Sequence, residues 1–200
     1  MRNIQVLGSR TNMPHLIDFD GLEQKLFVLQ HICYGSRQFC GRIELNRFAE
    51  AYEDYEWWEY TGILKSIVSN TIIESAVKIR MLQDFIKSDE QDINFNDLDE
   101  HSCDGVCIGS FIEGEGKLTL RESCNKIIHA TEATMQWVNV KADNEESNEY
   151  WNGQYHLHGT HRGLAWHVEL NVEAWCIAMI RFNKSVQEEV DWHHVYKHDE

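Results

Sequence analysis

The spacing of apolar residues predicts helices in the first part of the chain. Apolar positions recur at helical intervals over residues 20–35, 43–58 and 63–87, and the third stretch carries the broadest apolar face. Gly62 is expected to separate the second helix from the third. Three helices are therefore predicted before residue 90.

A short fourth helix is predicted over residues 119–130, with a well-marked beginning. Thr119 and Glu122 have the spacing of a capping box, in which each side chain satisfies a backbone amide of the first turn. Four apolar residues fall on one face and are expected to be buried: Leu120, Cys124, Ile127 and Ile128.

The pattern around and after this helix favours strands. The predicted strands are residues 106–112, 134–140, 150–158 and 164–170. The last two flank residues 159–163, which contain two glycines and predict a β-hairpin turn. Asn171 can cap a last helix over residues 172–182.

Together these elements predict an α+β fold, a mainly helical body with a small antiparallel sheet near the C-terminus. The length of 200 residues suits one domain. In that domain the helical part covers about 15–130, the hairpin region about 133–170 and the C-terminal helix about 172–183. Residues 88–100 and 143–149 are expected to be acidic loops because they show no clear periodicity.

The charge of the chain bears on its partners. Thirty-three acidic against eighteen basic residues give a formal net charge of −15, with 42% hydrophobic content. Such a surface repels phosphate backbones and favours basic partners, so nucleic acid is disfavoured. A solvated acidic surface that only keeps the protein soluble is the alternative.

The six cysteines show no disulfide-framework spacing, and no apolar run is long enough for a signal peptide or a membrane span. These features predict free thiols and a cytoplasmic location. His101, Cys103 and Cys107 come nearest to a zinc motif but have no second close pair, so neither a metal nor a cofactor is expected. No phosphate-binding glycine loop, hydrolase motif or basic aromatic stretch is present.

Two further clusters are candidates for binding. Four histidines surround the predicted hairpin: His156, His158, His161 and His167. Alternation places His156 and His158 on one side of a strand, where they suit a metal pair or sit exposed and titrate near neutral pH. Residues 52–60 combine aromatic and acidic side chains, which suits either a basic partner or an amphipathic helix.

Arg121, Asn125 and His129 lie four residues apart and form one row on the predicted helix of residues 119–130. A guanidinium, an amide and an imidazole in one row can bind a phosphate and transfer a proton. The same three groups can equally form a structural hydrogen-bond ladder. We expect His129 to be buried and bonded to Asn125.

This row resembles the signature of the HEPN superfamily, helical proteins that include RNases of toxin and phage-defence systems. The end of the family motif matches residues 125–129, whereas Cys124 stands where the motif has arginine and Arg121 lies eight positions before His129. The stretch, with the hairpin after it, is also similar to uncharacterised bacterial proteins with a HEPN-like core. The resemblance implies metal-independent RNA cleavage at a cleft that faces a dimer partner.

Two functions follow as expectations. One is a non-catalytic acidic protein, an immunity protein or antitoxin that neutralises a basic toxin nuclease. Its partner-binding residues would be Asp54, Glu56, Asp97 and Asp99. The alternative is an RNase in which Arg121 binds the phosphate, Asn125 orients His129 and His129 acts as general acid or base. The net charge favours the first, no membrane partner is expected, and a homodimer stays open.

Overall fold

The computed structural model describes residues 18–47, 56–88, 93–141 and 147–192. Within these ranges the chain forms five helices and four strands. The helices are α1 (Phe19–Arg42), α2 (Trp57–Ser88), α3 (Phe95–Ser102), α4 (Leu120–His129) and α5 (Val172–Glu189). The strands are β1 (Gly109–Glu113), β2 (Glu132–Lys141), β3 (Ser147–His161) and β4 (Leu164–Asn171). The predicted α+β class is confirmed.

The four strands form one antiparallel sheet in the order β1-β4-β3-β2. β3 and β4 are joined by a two-residue turn at Arg162 and Gly163, both with positive φ (51° and 82°), as a primed hairpin turn requires. The predicted hairpin is therefore confirmed with a tighter turn. β3 begins at Ser147, so the end of the predicted acidic loop 143–149 is strand; residues 142–146 lie outside the described ranges.

The hydrophobic core lies between one face of the sheet and the helices. Tyr155 and Leu157 of β3 and Val168 and Leu170 of β4 point into it, as alternation dictates. All five helices add buried apolar residues to the same cluster. Each such side chain stabilises the fold by about 1.5–3 kcal/mol when it is fully buried.

The first two helices are longer than predicted. α1 continues past Gly35 to Arg42, and α2 begins at Trp57 with Gly62 inside it. A glycine within a helix costs only about 1 kcal/mol, and neighbouring burial of residues such as Leu64 outweighs that cost. The predicted helix over residues 43–58 is wrong, because residues 43–47 leave the helical path and residues 57–58 belong to α2. Residues 48–55 lie outside the described part.

The predicted acidic loop 88–100 is wrong from residue 95 onward, where the chain forms α3, and residues 89–92 lie outside the described ranges. Asn94 caps this helix by accepting a hydrogen bond from the Asn96 amide (3.2 Å). Phe95 and Leu98, three positions apart, are buried in the core. Two apolar residues at this spacing hold eight residues as a helix.

The predictions for α4 and α5 are largely confirmed. Thr119 Oγ1 accepts from the Glu122 amide at 3.2 Å, and Leu120, Cys124 and Ile127 are buried. Ile128, expected to be buried, is only half-buried at the edge of the core. Asn171 caps α5, which extends to Glu189. Among the described helices, none has the length and apolar content needed to cross a bilayer.

Candidate functional site

The structure separates Arg121 from the other members of the predicted row. An Arg121 terminal nitrogen donates to Asp84 Oδ1 of α2 at 2.6 Å, and its guanidinium lies 5.3 Å from the centre of the Phe95 ring of α3. The side chain thus joins α4 to α2 and α3, and its charge is paired with that of Asp84.

Asn125 is held by a second set of hydrogen bonds between α2 and α4. Arg80 Nε donates to Asn125 Oδ1 at 2.7 Å, and Asn125 Nδ2 donates to Glu122 Oε2 at 3.2 Å. Arg80 also contacts Asp84 (2.9 Å). Partial burial alone would raise the pKa of Asp84, but the hydrogen bonds from Arg80 and Arg121 hold it below its usual value. Through these contacts Arg121 and Asn125 join α4 to α2, and none of them includes His129, the third member of the predicted row.

His129 is exposed at the last position of α4, so the prediction that it is buried and bonded to Asn125 is wrong. The helix ends at this residue, and both ends of the Asn125 amide are occupied by Arg80 and Glu122. An exposed imidazole is open to solvent and to any molecule that enters beside it.

His129 lines an open cleft of about 610 Å³ between α4 and the β3–β4 hairpin. The cleft also contains Glu122, Asn125, Lys126, Thr160, His161 and Trp166. Lys126 is only 14% exposed, pairs with Glu122 Oε1 at 3.2 Å and lies 4.5 Å from the centre of the Trp166 ring. Because Lys126 and Glu122 are paired with each other, the imidazoles of His129 and His161 are the unpaired groups of the described lining that can transfer a proton. Arg121 does not line it.

A group of exposed carboxylates surrounds His101 where α3 packs against α5. We call Asp97, Asp104 and Glu189 the acidic surface. The pKa of His101 is raised, first by the hydrogen bond between its Nδ1 and the Asp97 carbonyl (2.7 Å) and then by the negative charges of Asp104, Asp97 and Glu189. Among the described residues none of these three carboxylates forms a salt bridge.

The four predicted partner-binding carboxylates are not equivalent. Asp97 is exposed, and Glu56 precedes α2 and accepts from Trp58 Nε1 at 2.7 Å. Asp99 is only 6% exposed and accepts from the Arg121 amide at 2.8 Å, so it caps α4 inside the protein instead of reaching a partner. Burial is the main cause that raises its pKa. Asp54 lies outside the described residues.

Three hairpin histidines contact one another on the sheet face opposite the core. His156 Nδ1 lies 3.0 Å from His167 Nε2, and the His158 and His167 rings stack with centroids 4.0 Å apart. They are half-buried, which corrects the expectation of exposed histidines. Within the described ranges no three His, Cys, Asp or Glu side chains are placed to share a metal.

All six cysteines are free thiols, as predicted. Cys103 is half-buried and Cys107 is exposed. Cys40, Cys124 and Cys176 are buried, and burial raises the pKa of Cys124 to about 12.

A groove that the sequence did not indicate lies between the N-terminal half of α2 and β2. Its volume is about 430 Å³, and its lining includes Arg47, Trp57, Trp58, Lys65 and Trp137. The linear sequence contains no basic aromatic stretch because these residues come from three separate segments. Only the packing of α2 beside β2 brings them together.

Comparison with known proteins gives no relative, since no family model, curated protein or solved structure matches the chain.

Proposed function

We propose that the protein is a non-catalytic acidic binding protein whose partner is a basic protein, in the manner of an immunity protein or antitoxin that neutralises a toxin nuclease. The observation that carries the proposal is the acidic surface: Asp97, Asp104 and Glu189 are exposed without salt bridges among the described residues. They belong to a chain of net charge −15. Such a field attracts a basic partner and speeds encounter.

The state of the α4 row supports a binding role over catalysis. A phosphate-binding arginine must present its charge to the substrate. Arg121 gives that charge to Asp84, and Asn125 is held by Arg80 and Glu122. The contacts of Arg121 and Asn125 join α2, α3 and α4, which supports a structural role for these two residues. A cytoplasmic location is part of this proposal, because six free thiols suit a reducing compartment.

The test has two steps. A tagged form of the protein first isolates a partner from the source cells, and the association rate of the purified partner with the protein is then measured. The triple variant Asp97→Asn, Asp104→Asn, Glu189→Gln should lower the association rate about tenfold at low salt. A control with the same charge change replaces Glu44, Glu115 and Glu132, which are exposed elsewhere, with Gln and should leave most of the rate intact. A neutral or acidic partner, or equal effects of the two triple variants, would contradict the proposal.

RNA cleavage is the second candidate, and the specific observation in its favour is the open cleft that contains Asn125, His129 and His161. Two imidazoles at one cleft can act as general base and general acid. The test incubates end-labelled single-stranded RNA with the protein and with His129→Ala and His161→Ala. His31→Ala, an exposed α1 histidine, is the control. Cleavage that both cleft variants abolish and the control retains would establish catalysis and replace the binding proposal.

A further inference from the structure

Three indole rings lie around the groove between α2 and β2. Trp57 of α2 and Trp137 of β2 meet edge to face with ring centroids 4.6 Å apart. Trp58 is 57% exposed, although its Nε1 donates to Glu56. A tryptophan this exposed leaves a large flat apolar surface in water, where a planar molecule can stack on it.

Of the described residues that line this groove, the two charged ones, Arg47 and Lys65, are positive. Arg47 lies 5.0 Å from the centre of the Trp57 ring and donates through Nε to Glu149 at 3.0 Å, a bond that does not use its two terminal nitrogens. Lys65 is exposed and forms no salt bridge among the described residues. The groove also lies at the N-terminal turn of α2, where the helix dipole favours negative charge.

The groove has room because a glycine faces open space beside it. Gly62 is part of the lining, and a Cβ atom added there would have no neighbour within 4 Å. Trp58, Gly62 and Lys65 are three or four positions apart, so they share one face of α2. Along this face Trp58 offers a stacking surface, Gly62 leaves space and Lys65 carries positive charge.

We propose that this groove binds a free nucleotide, with the base stacked on the exposed indole of Trp58 and the phosphate held by Lys65. Indole faces stack on any nucleobase, and the Lys65 ammonium supplies charge-assisted hydrogen bonds to phosphate oxygens. The net charge of −15 opposes a long polyanion far more than a single nucleotide. The site therefore takes the free nucleotide in preference to a nucleic-acid strand.

The experiment titrates the full-length protein with adenosine 5′-monophosphate by calorimetry. Adenosine and ribose 5-phosphate, which lack the phosphate and the base respectively, should each bind at least tenfold more weakly. Lys65→Gln should weaken binding of the nucleotide roughly tenfold. Lys87→Gln, the same change at an exposed lysine near the other end of α2, should not.

A second pair of variants tests the groove itself. Gly62→Leu fills it and should abolish binding, whereas Gly35→Leu is a matched control on α1, where an added Cβ also meets nothing within 4 Å. The proposal is overturned if the nucleotide does not bind, if Gly62→Leu binds it as well as Gly35→Leu does, or if adenosine binds equally well. Tighter binding of a single-stranded oligonucleotide than of the mononucleotide would also overturn it. None of these outcomes depends on the acidic surface.

Discussion

Ser123 shows how one hydroxyl connects two helices at the centre of the fold. It accepts a hydrogen bond from Trp175 Nε1 of α5 at 2.9 Å and donates to the Leu120 carbonyl of α4 at 2.7 Å. Both Ser123 and Trp175 are fully buried. A buried donor that loses its acceptor incurs its whole desolvation penalty. Ser123 should therefore contribute to the free energy of unfolding by keeping the indole N–H of Trp175 hydrogen-bonded.

We therefore expect Ser123→Ala to lower the free energy of unfolding by about 1–3 kcal/mol, because it leaves the indole N–H of Trp175 unsatisfied. Urea denaturation of the wild type and the variant gives the value. Ser75 is the matched control, since it is also fully buried but its hydroxyl has no hydrogen-bond partner among the described residues. Ser75→Ala should change stability by less than about 0.5 kcal/mol; an equal loss in both variants would show that the bond to Trp175 contributes nothing.

The cysteines differ in exposure, and their reactivity should follow it. Cys107 is exposed, while Cys40, Cys124 and Cys176 are buried with raised pKa values because burial disfavours the thiolate. In the folded protein a chromogenic disulfide reagent should first modify one thiol, and Cys107→Ser should remove that phase. Unfolded protein should show six thiols. A fast phase that survives Cys107→Ser would contradict this assignment.

At the scale of elements, the histidine contacts between β3 and β4 make the sheet sensitive to acid. The pKa of His167 lies below its usual value of about 6.5, first because of burial and then because of positive charge on His158 and His156; Glu169 and Glu113 oppose this shift. The folded state thus binds a proton at His167 less readily than the unfolded state does. Stability should be highest above pH about 6.5 and fall as the pH decreases through the interval below it.

The measurement is the midpoint of urea unfolding at intervals between pH 8 and pH 5. His167→Gln should flatten the decrease below pH about 6.5, because it removes the imidazole with the lowered pKa. The control His31→Gln changes an exposed α1 histidine and should keep the wild-type profile. A wild-type stability that rises towards pH 5 would show that the sign is wrong.

Elements with local signals could be predicted from the sequence. Thr119 and Asn171 cap α4 and α5 as expected, and alternation with a glycine turn gave the hairpin. α3 was missed because its apolar face consists of little more than Phe95 and Leu98 among carboxylates. The sequence pattern predicts helix ends at Gly35 and Gly62, but tertiary packing outweighs the low helix propensity of glycine.

The candidate site could be predicted only in part, because its decisive contacts are distant in sequence. Arg121 and Asp84 are 37 positions apart, and Arg80 and Asn125 are 45 apart. The periodicity of α4 correctly placed Arg121 and Asn125 on one helix but contained no information about what faces them. The exposure of His129 depends on the place where the helix ends, which is the least certain feature of a sequence-based prediction.

For the whole molecule, the uneven distribution of charge is the property that most affects encounter with other molecules. Arg80 and Arg121 share Asp84, and Lys126 is paired with Glu122, so these three cations all lie in ion pairs within the fold. The carboxylates of the acidic surface have no such partners among the described residues. These three carboxylates therefore keep their charge unpaired where α3 meets α5, although the Arg181 guanidinium donates to the backbone carbonyl of Asp104 beside them.

This distribution predicts how association with a basic partner depends on salt. The Debye length shrinks from about 10 Å at 0.1 M to about 3 Å at 1 M, so the field reaches an approaching partner only at low ionic strength. The association rate should therefore fall at least tenfold over that range, while the dissociation rate changes much less, because short contacts in the complex are weakly screened. Both rates can be measured by stopped-flow fluorescence with the partner in excess.

The variant without the three carboxylates of the acidic surface should show a shallower salt dependence than the variant changed at Glu44, Glu115 and Glu132. A chain of net charge −15 is attracted electrostatically to a basic protein, so its association rate must depend on salt. An association rate of the wild-type protein that does not change with salt would therefore remove the physical basis of the proposed binding role.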